Sequence, residues 1–131
     1  MGWEVYPQGL TEILVDLRRS FANLPPIYIT ENGAAFPDQL SNGGINDQAR
    51  IDYYQSHLLA VHQSIEAGVD IRAYFAWSLL DNFEWAEGYT KRFGIVYVDF
   101  TSQERILKAS AKALQQFWLA RKIAQAEREA I

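Results

Sequence analysis

Apolar residues recur at helical and strand spacing along the chain and predict an alternation of helices and strands. Residues 10–22 place an apolar residue every three or four positions, which is the period of an amphipathic helix. The sequence "NLPP" follows, and its prolines end that helix. A short apolar strand is then predicted at residues 27–30 and a longer one at residues 69–77.

A second helix is predicted between these two strands. Residues 34–45 are rich in turn-forming residues and predict a loop. Asn46 or Asp47 is the expected N-cap of the helix that follows, and Gly68 suits the position after its end. The apolar positions with helical spacing in this segment are Ile51, Tyr54, Leu58, Val61 and Ile65.

The last third of the chain begins with a predicted loop, residues 78–92, that is dense in aromatic and acidic residues. An extended segment, "FGIVYVDF", follows it, and a last helix begins near Lys108. Residues from about 119 to 131 are charged and helix-forming, so we expect a helical or frayed tail. Helix, strand, helix, strand, helix is the order typical of a parallel α/β sheet, and both main strands are apolar on both faces, as in parallel sheets.

Composition narrows the classes of protein that fit this pattern. A length of 131 residues favours one domain, and 49% hydrophobic with 21% charged residues is the mix of a soluble globular protein. A formal net charge of −4 disfavours nucleic acid or an anionic membrane as partner. The absence of cysteine excludes disulfides and thiolate metal sites. With no signal-peptide or membrane-spanning pattern, the cytoplasm is the expected location.

Two candidate functional residues lie where the two main strands end. Glu31 follows the first strand, and Trp77 closes the second. Ligands of βα units bind at the carboxyl ends of the strands, so the acid and the indole are expected at the same surface. A carboxylate there can be a nucleophile, a base, a metal ligand or a helix cap. Taken alone, an acid after a strand is most often a solvated or capping residue.

The aromatic loop, which we define as residues 77–93, changes this balance. It contains Trp77, Glu84, Trp85 and Phe93, with Asp81 and Asn82 between them. Flat apolar rings pack against sugar faces, and carboxylates accept paired hydrogen bonds from neighbouring hydroxyls. Each of these residues by itself is more often core filler or surface charge. As a set beside a strand-end carboxylate, they favour sugar binding.

Two long motifs resemble those of glycoside hydrolase family 1, the retaining β-glucosidases and their relatives. They are "YITENG" at residues 28–33 and "YFAWSLLDNFEWAEGYTKRFGIVYVDF" at residues 74–100, and the resemblance runs from residue 1 to about residue 110. It implies an α/β fold, the C-terminal part of a (β/α)8 TIM barrel. In that barrel the chain, as a single partial-barrel domain over residues 1–131, would supply helix 6, strand 7, helix 7, strand 8 and helix 8.

The resemblance also implies roles for individual residues. Glu31 matches the catalytic nucleophile, which forms a glycosyl-enzyme intermediate that water hydrolyses. Trp77 matches a tryptophan lining the glycone site, and Glu84 matches the acid that binds the hydroxyls on C4 and C6. Trp85 matches a residue contacting a ring hydroxyl, and Phe93 matches an aromatic wall. No cofactor or metal is implied, and the loop resembles the branch that takes unphosphorylated sugars.

One departure from the family pattern bears on activity. Retaining hydrolysis uses two carboxylates about 5–5.5 Å apart. The family's acid/base glutamate belongs to an Asn-Glu-Pro motif that is absent here. We therefore expect the chain to be inactive alone towards a β-glucoside. Its expected partners are a complementing N-terminal barrel fragment or further copies of itself, because exposed strand edges associate. The alternative function is a self-associating barrel fragment with at most weak sugar binding.

A metal site is the third hypothesis. Its candidate ligands are Asp52, His57, His62 and Glu66 on the second predicted helix. Five residues of separation place the two histidines about 140° apart around a helix, so they do not share a face. The hypothesis is therefore disfavoured, and both histidines are expected to face solvent or to pack at the helix edge.

Overall fold

A computed structural model describes residues 1–129. Three long helices alternate with two longer strands and four short ones. The elements in chain order are α1 (Pro7–Ser20), β1 (Ile27–Asn32), β2 (Leu40–Ser41), β3 (Gly44–Ile45), α2 (Gln48–Glu66), β4 (Ile71–Ala76), a 3₁₀ turn (Trp85–Glu87), β5 (Val96–Val98), β6 (Arg105–Leu107) and α3 (Ala109–Glu129).

The two longer strands, β1 and β4, form a parallel pair connected through α2, which confirms the predicted βαβ order. The Ile27 N–H donates to the Asp70 carbonyl at 2.8 Å where the strands begin. The Trp77 N–H donates to the Asn32 carbonyl at 2.8 Å where they end. Strand β1 runs two residues further than predicted, so Glu31 lies within the strand and not after it.

The helices cover one face of this pair and supply five of the ten buried apolar side chains among the described residues. Helix α1 packs on α2, and the Thr11 hydroxyl donates to the Ala60 carbonyl at 3.1 Å between them. Helix α3 also packs on α2. The buried apolar side chains are Leu14, Ile45, Tyr54, Ala60, Val61, Val69, Phe93, Val96, Val98 and Leu114.

The other face of the parallel pair is open. Tyr28 on β1 is 59% exposed and Phe75 on β4 is 54% exposed. Within residues 1–129, neither outer edge of the pair has a neighbouring strand. A pair of strands from a β-barrel, without its neighbouring strands, presents an uncovered face and two unpaired edges of this kind.

The predicted loop at residues 34–45 is only partly a loop. Strands β2 and β3 form a two-residue antiparallel hairpin across it. Its turn residues, Asn42 and Gly43, both have positive φ, 51° and 74°. This is the Asn-Gly turn chemistry of tight hairpins. The turn signal was present in the sequence, but strands of two residues give no alternating pattern.

Asp47 is the N-cap of α2, yet its side chain makes no capping hydrogen bond. The carboxylate is buried and bonds instead to the Arg50 guanidinium and to the hydroxyl and N–H of Ser110. The expected capping role of its side chain is therefore wrong, because a buried cation and the start of α3 compete for the same oxygens.

The predicted extended segment after the aromatic loop contains β5, which pairs antiparallel with β6, a strand that was not predicted. Helix α3 continues to Glu129, with the side chains of residues 119–126 exposed. Residues 130 and 131 of the predicted tail lie outside the described residues. In the part of the chain that is described, no helix combines the length and the hydropathy needed to cross a membrane.

Candidate active site

An open cleft of about 320 Å³ lies at the carboxyl ends of β1 and β4. The end of β1, the end of β4, the aromatic loop and the segment before α1 all contribute to its lining. The lining residues are Trp3, Glu31, Asn32, Gly33, Trp77, Glu84, Trp85 and Phe93. All five residues singled out from the sequence are therefore in one place.

The two carboxylates of the cleft come from different kinds of backbone. Glu31 is the penultimate residue of β1 and is exposed, so its position is set by the strand ladder. Glu84 precedes the 3₁₀ turn, and its N–H donates to the Gly88 carbonyl at 2.7 Å, which closes the turn on itself. One carboxylate is thus held by the sheet and the other by a loop.

Aromatic rings form the walls. Trp77 follows β4 directly and is 36% exposed, and its peptide bond to Ser78 is cis. Trp85 is 84% exposed, whereas Phe93 is buried, with 4% of its surface exposed. Trp3 lies against Phe93, with ring centroids 6.2 Å apart. Sequence reasoning missed Trp3, because nothing in the short segment before α1 indicates that it folds back onto a strand end more than 20 residues later.

In the lining of the cleft, Asn32 is held by a tyrosine of β4. The Tyr74 hydroxyl donates to Asn32 Oδ1 at 2.6 Å. The phenol of Tyr53, on α2, is also partly buried. Burial raises the pKa of both phenols, which keeps them protonated. The side chain of Asn32, the residue next to Glu31, is therefore oriented by a hydrogen bond from β4.

Gly33 allows the ends of β1 and β4 to approach closely. A Cβ at this position would lie 1.8 Å from the Trp77 carbonyl oxygen, which no side chain can satisfy. The Tyr54 hydroxyl donates to that same carbonyl at 3.1 Å. The spacing between Glu31 and Trp77 thus depends on a glycine at this position.

Behind the aromatic loop lies a buried ionic cluster that the sequence did not predict. It consists of Asp38, Asp47, Arg50, Asp81, Arg92 and Lys108, three acids and three bases. The side chains of all but Arg92 are essentially inaccessible to solvent. Acids in loops are usually solvated, so spacing alone gave no sign that the loop acid Asp81 is buried.

Arg50 joins the parts of this cluster. Its guanidinium donates to Asp38 at 2.8 and 3.0 Å and to the Arg92 carbonyl at 2.8 Å. Burial by itself would lower the pKa of Arg50, but the hydrogen bonds and charges of Asp38 and Asp47 outweigh it and raise that pKa. The cation therefore stays charged in the interior, matched by its two acids.

The candidate metal ligands on α2 do not converge. His57 is buried and stacks on the Tyr53 ring at 3.9 Å, with Nδ1–H donating to the Tyr53 carbonyl at 2.8 Å. The expectation that it faces solvent or packs at the helix edge is therefore wrong. His62 is exposed and lies 3.5 Å from Glu66. Among the side chains that the structure describes, those of residues 1–126, no three His, Asp or Glu groups are arranged to hold a metal ion.

Comparison with known proteins agrees with this geometry. Residues 1–123 match the profile of Glycosyl hydrolase family 1. The chain is 56% identical over 111 residues to the 1,4-β-D-glucan glucohydrolase of Thermotoga neapolitana, covering 84% of this chain and 25% of that protein. It is 45% identical over 114 residues to the 6-phospho-β-galactosidase of Streptococcus equi subsp. zooepidemicus, covering 87% of this chain and 24% of that protein.

The fold agrees as well. The crystal structure of a psychrophilic β-glucosidase from Micrococcus antarcticus superposes with a TM-score of 0.84 at 54% identity, over 86% of this chain and 24% of that one. The chain therefore has the fold of a (β/α)8-barrel fragment, and it spans about a quarter of the length of the curated relatives it matches. By its motifs, its fold and its profile match, the chain belongs to glycosyl hydrolase family 1.

Proposed function

We propose that this chain is the nucleophile-bearing, C-terminal portion of a retaining β-glucosidase, with β1 and β4 as strands 7 and 8 of the barrel. The observation that supports the proposal is that Glu31 shares one open cleft with Trp77, Glu84, Trp85 and Phe93. A strand-held carboxylate beside indole faces and a sugar-binding acid fits the nucleophile half of a retaining site together with its sugar-binding groups.

In this proposal, Glu31 acts in its ionised form. Its carboxylate attacks the anomeric carbon, the bond to the aglycone breaks, and a covalent glycosyl-enzyme forms. Water then cleaves that ester bond and releases the sugar. The hydrogen bond from Tyr74 to Asn32 keeps the neighbouring backbone in place during attack.

The rest of the cleft binds the sugar. The indole faces of Trp77 and Trp85 pack on the apolar faces of the ring, and Glu84 accepts paired hydrogen bonds from its outer hydroxyls. Phe93, backed by Trp3, closes the inner wall. These residues give affinity and orientation without taking part in bond cleavage.

We infer that the sugar is unphosphorylated. Among the residues described as lining the cleft, the charged side chains are the carboxylates of Glu31 and Glu84, with no lysine or arginine beside them. Two anions repel a phosphate group and provide no charged donor to it. This favours an unphosphorylated glycoside over the phosphorylated galactoside that appears in the name of one relative, the 6-phospho-β-galactosidase.

The proposal also includes inactivity of the isolated chain. Glu84 is assigned to the sugar hydroxyls, so no carboxylate remains to protonate the leaving group and then to activate water. Activity would require the acid/base glutamate from a complementing portion, which would also cover the open face of the β1–β4 pair.

Complementation tests this function. The chain is co-expressed with the complementary three-quarters of the Thermotoga neapolitana relative. Hydrolysis of p-nitrophenyl β-glucoside is then measured as release of p-nitrophenol. We expect no turnover from the chain alone and measurable turnover from the pair. Glu31→Gln should reduce the turnover of the pair by about 10³-fold or more, the scale typical for loss of a nucleophile.

Glu87→Gln is the control, since it is the same substitution at a glutamate of the aromatic loop that does not line the cleft. Turnover of the pair that persists in Glu31→Gln would remove the proposed role of Glu31. Turnover by the isolated chain that disappears in Glu31→Gln would overturn the proposed inactivity.

A second candidate function rests on the open sheet face. Tyr28 and Phe75 give that face an apolar surface, which favours a self-associating barrel fragment with at most weak sugar binding through Trp77, Glu84 and Trp85. The same complementation experiment separates the two, because only the first candidate predicts recovered activity.

A further inference from the structure

The middle of the aromatic loop, residues 83–89, has little apolar anchoring of its own, whereas Phe93 at the end of the loop is buried. Phe83, Trp85 and Tyr89 are 59%, 84% and 56% exposed. Phe83 and Tyr89 contact each other edge to face, with centroids 5.4 Å apart. Contacts among exposed rings do not fix a loop relative to a distant strand, so another interaction must determine where Glu84 and Trp85 lie.

Asp81 provides that interaction from inside the loop. It is buried, with 4% of its surface exposed. Its Oδ1 accepts from Lys108 Nζ at 2.8 Å and from the Gly94 N–H at 3.0 Å, and its Oδ2 accepts from Arg92 Nη1 at 2.6 Å. A single carboxylate thereby joins the first part of the loop, its last part and the start of α3.

The ionic cluster extends this connection to the framework of the fold. Lys108 also donates to Asp38, which accepts from Arg50 on α2. Arg50 returns to the loop by donating to the Arg92 carbonyl at 2.8 Å. The loop is thus tied by charge to Arg50 on α2 and to Lys108, which directly precedes α3.

We propose that Asp81 is a positioning residue for the sugar cleft, one that sets where Glu84 and Trp85 lie relative to Glu31. The catalytic consequence of this inference rests on the proposed function. Its structural claim, that Asp81 sets the position of Glu84 and Trp85, does not. The competing view is that Asp81 contributes only to global stability, like any buried ion pair.

Asp47 provides a matched comparison within the same cluster. It is as buried as Asp81, with 6% of its surface exposed, but its partners are Arg50 and Ser110 on the two helices. Three groups of the loop and its continuation, by contrast, bond to Asp81. Removing charge at Asp47 weakens the helix side of the cluster, and removing it at Asp81 weakens the loop side.

Amide hydrogen exchange of the full 131-residue chain tests the structural claim. The loop amides of Glu84, Gly88 and Thr90 donate within the 3₁₀ turn and serve as probes, and buried Ala60 in α2 is the reference. In Asp81→Asn we expect the loop amides to exchange at least about tenfold faster while the reference is much less affected, because local opening exchanges without global unfolding.

In Asp47→Asn the reference amide should change at least as much as the loop amides. Equal acceleration of loop and reference in Asp81→Asn would overturn the proposal, as would unchanged loop exchange. If Asp81→Asn does not fold, Arg92→Gln is measured with the same criteria, since Arg92 is half-buried and is the loop-side partner of Asp81.

The complemented enzyme tests the catalytic consequence. Asp81→Asn should lower kcat/KM about tenfold, mainly through KM, because displaced sugar-binding groups weaken binding without removing the nucleophile. A fall confined to kcat would contradict the positioning role. If complementation yields no activity even with the unmodified chain, the proposed function fails, and the exchange experiment still decides the role of Asp81.

Discussion

At the residue scale, burial decides what each acid can do. Glu31 and Glu84 line an open cleft and keep oxygens free for a ligand. The side chains of Asp38, Asp47 and Asp81 are buried. Their carboxylate oxygens accept hydrogen bonds from cationic side chains and backbone N–H groups. The same functional group thus serves recognition in one place and architecture in another, and the difference lies in solvent access.

The buried histidine makes stability depend on pH. Burial lowers the pKa of His57 below its usual 6.5, despite the opposing hydrogen bond to the Tyr53 carbonyl. Below about pH 6.5 the unfolded chain therefore binds a proton that the folded chain does not, so the free energy of unfolding falls as pH is lowered. It levels off once pH drops below the pKa of the folded chain.

Urea unfolding followed by circular dichroism at pH 7.5 and pH 5.5 measures this loss. His57→Gln should flatten the difference between the two pH values, and His62→Gln, at an exposed position, should leave it as it is. A pH dependence that survives in His57→Gln would assign the effect to other groups. The carboxyls of Asp70 and Asp99, whose pKa values are lowered, titrate below this window.

At the element scale, the ends of β1 and β4 define the cleft. The backbone hydrogen bond from Trp77 to Asn32 continues the parallel ladder to its last residue. Gly33 then leaves the sheet in direct contact with the Trp77 carbonyl. Glu31 and Trp77 therefore lie at the neighbouring ends of two paired strands. This is why two residues 46 positions apart in sequence line the same cleft.

Gly33→Ala should disrupt this junction. Its methyl group would overlap the Trp77 carbonyl, and because backbone cannot rotate away, we expect destabilisation of about 1–3 kcal/mol or more. Gly44→Ala is the control, since a Cβ there meets no atom within 4 Å and should change stability by less than about 0.5 kcal/mol. Chemical denaturation of both variants makes the comparison, and equal stability of the two would refute the close approach.

At the scale of the whole molecule, the parallel strand pair is covered on only one of its two faces. One face of the β1–β4 pair is covered by helices, while the other exposes Tyr28 and Phe75. The ionic cluster, in contrast, has three acids and three bases within this chain, so its charges balance without help from any partner. The buried charges are therefore balanced among the described residues, whereas the apolar side chains of the open face are not covered by them.

We expect the isolated chain to self-associate through this face. Size-exclusion chromatography with light scattering at low micromolar concentration should give a mass above that of the 15.0 kDa monomer. Tyr28→Lys should shift the population towards monomer, because it places a charge in the apolar face. Ile13→Lys on α1, at 58% exposure, is the matched control and should have little effect. A monomer throughout, or a shift caused only by Ile13→Lys, would contradict this.

The sequence by itself determined the parts of this protein that depend on local order. Apolar spacing placed the helices and both strands of the parallel pair, because periodicity follows directly from backbone geometry. The positions of Glu31 and Trp77 at the two strand ends were sufficient to predict that they share one surface, which the cleft confirms, while its sugar-binding role stays a prediction. The motifs around them identified the family.

Only the tertiary structure decided which charges are buried and which distant segments meet. The ionic cluster joins Asp38, Asp81 and Lys108 across 70 residues of chain, and Trp3 reaches the cleft from before α1. Such contacts have no period or spacing in the sequence. They form because the folded chain must pair each charge that it removes from water, and which charges these are is set by packing in three dimensions.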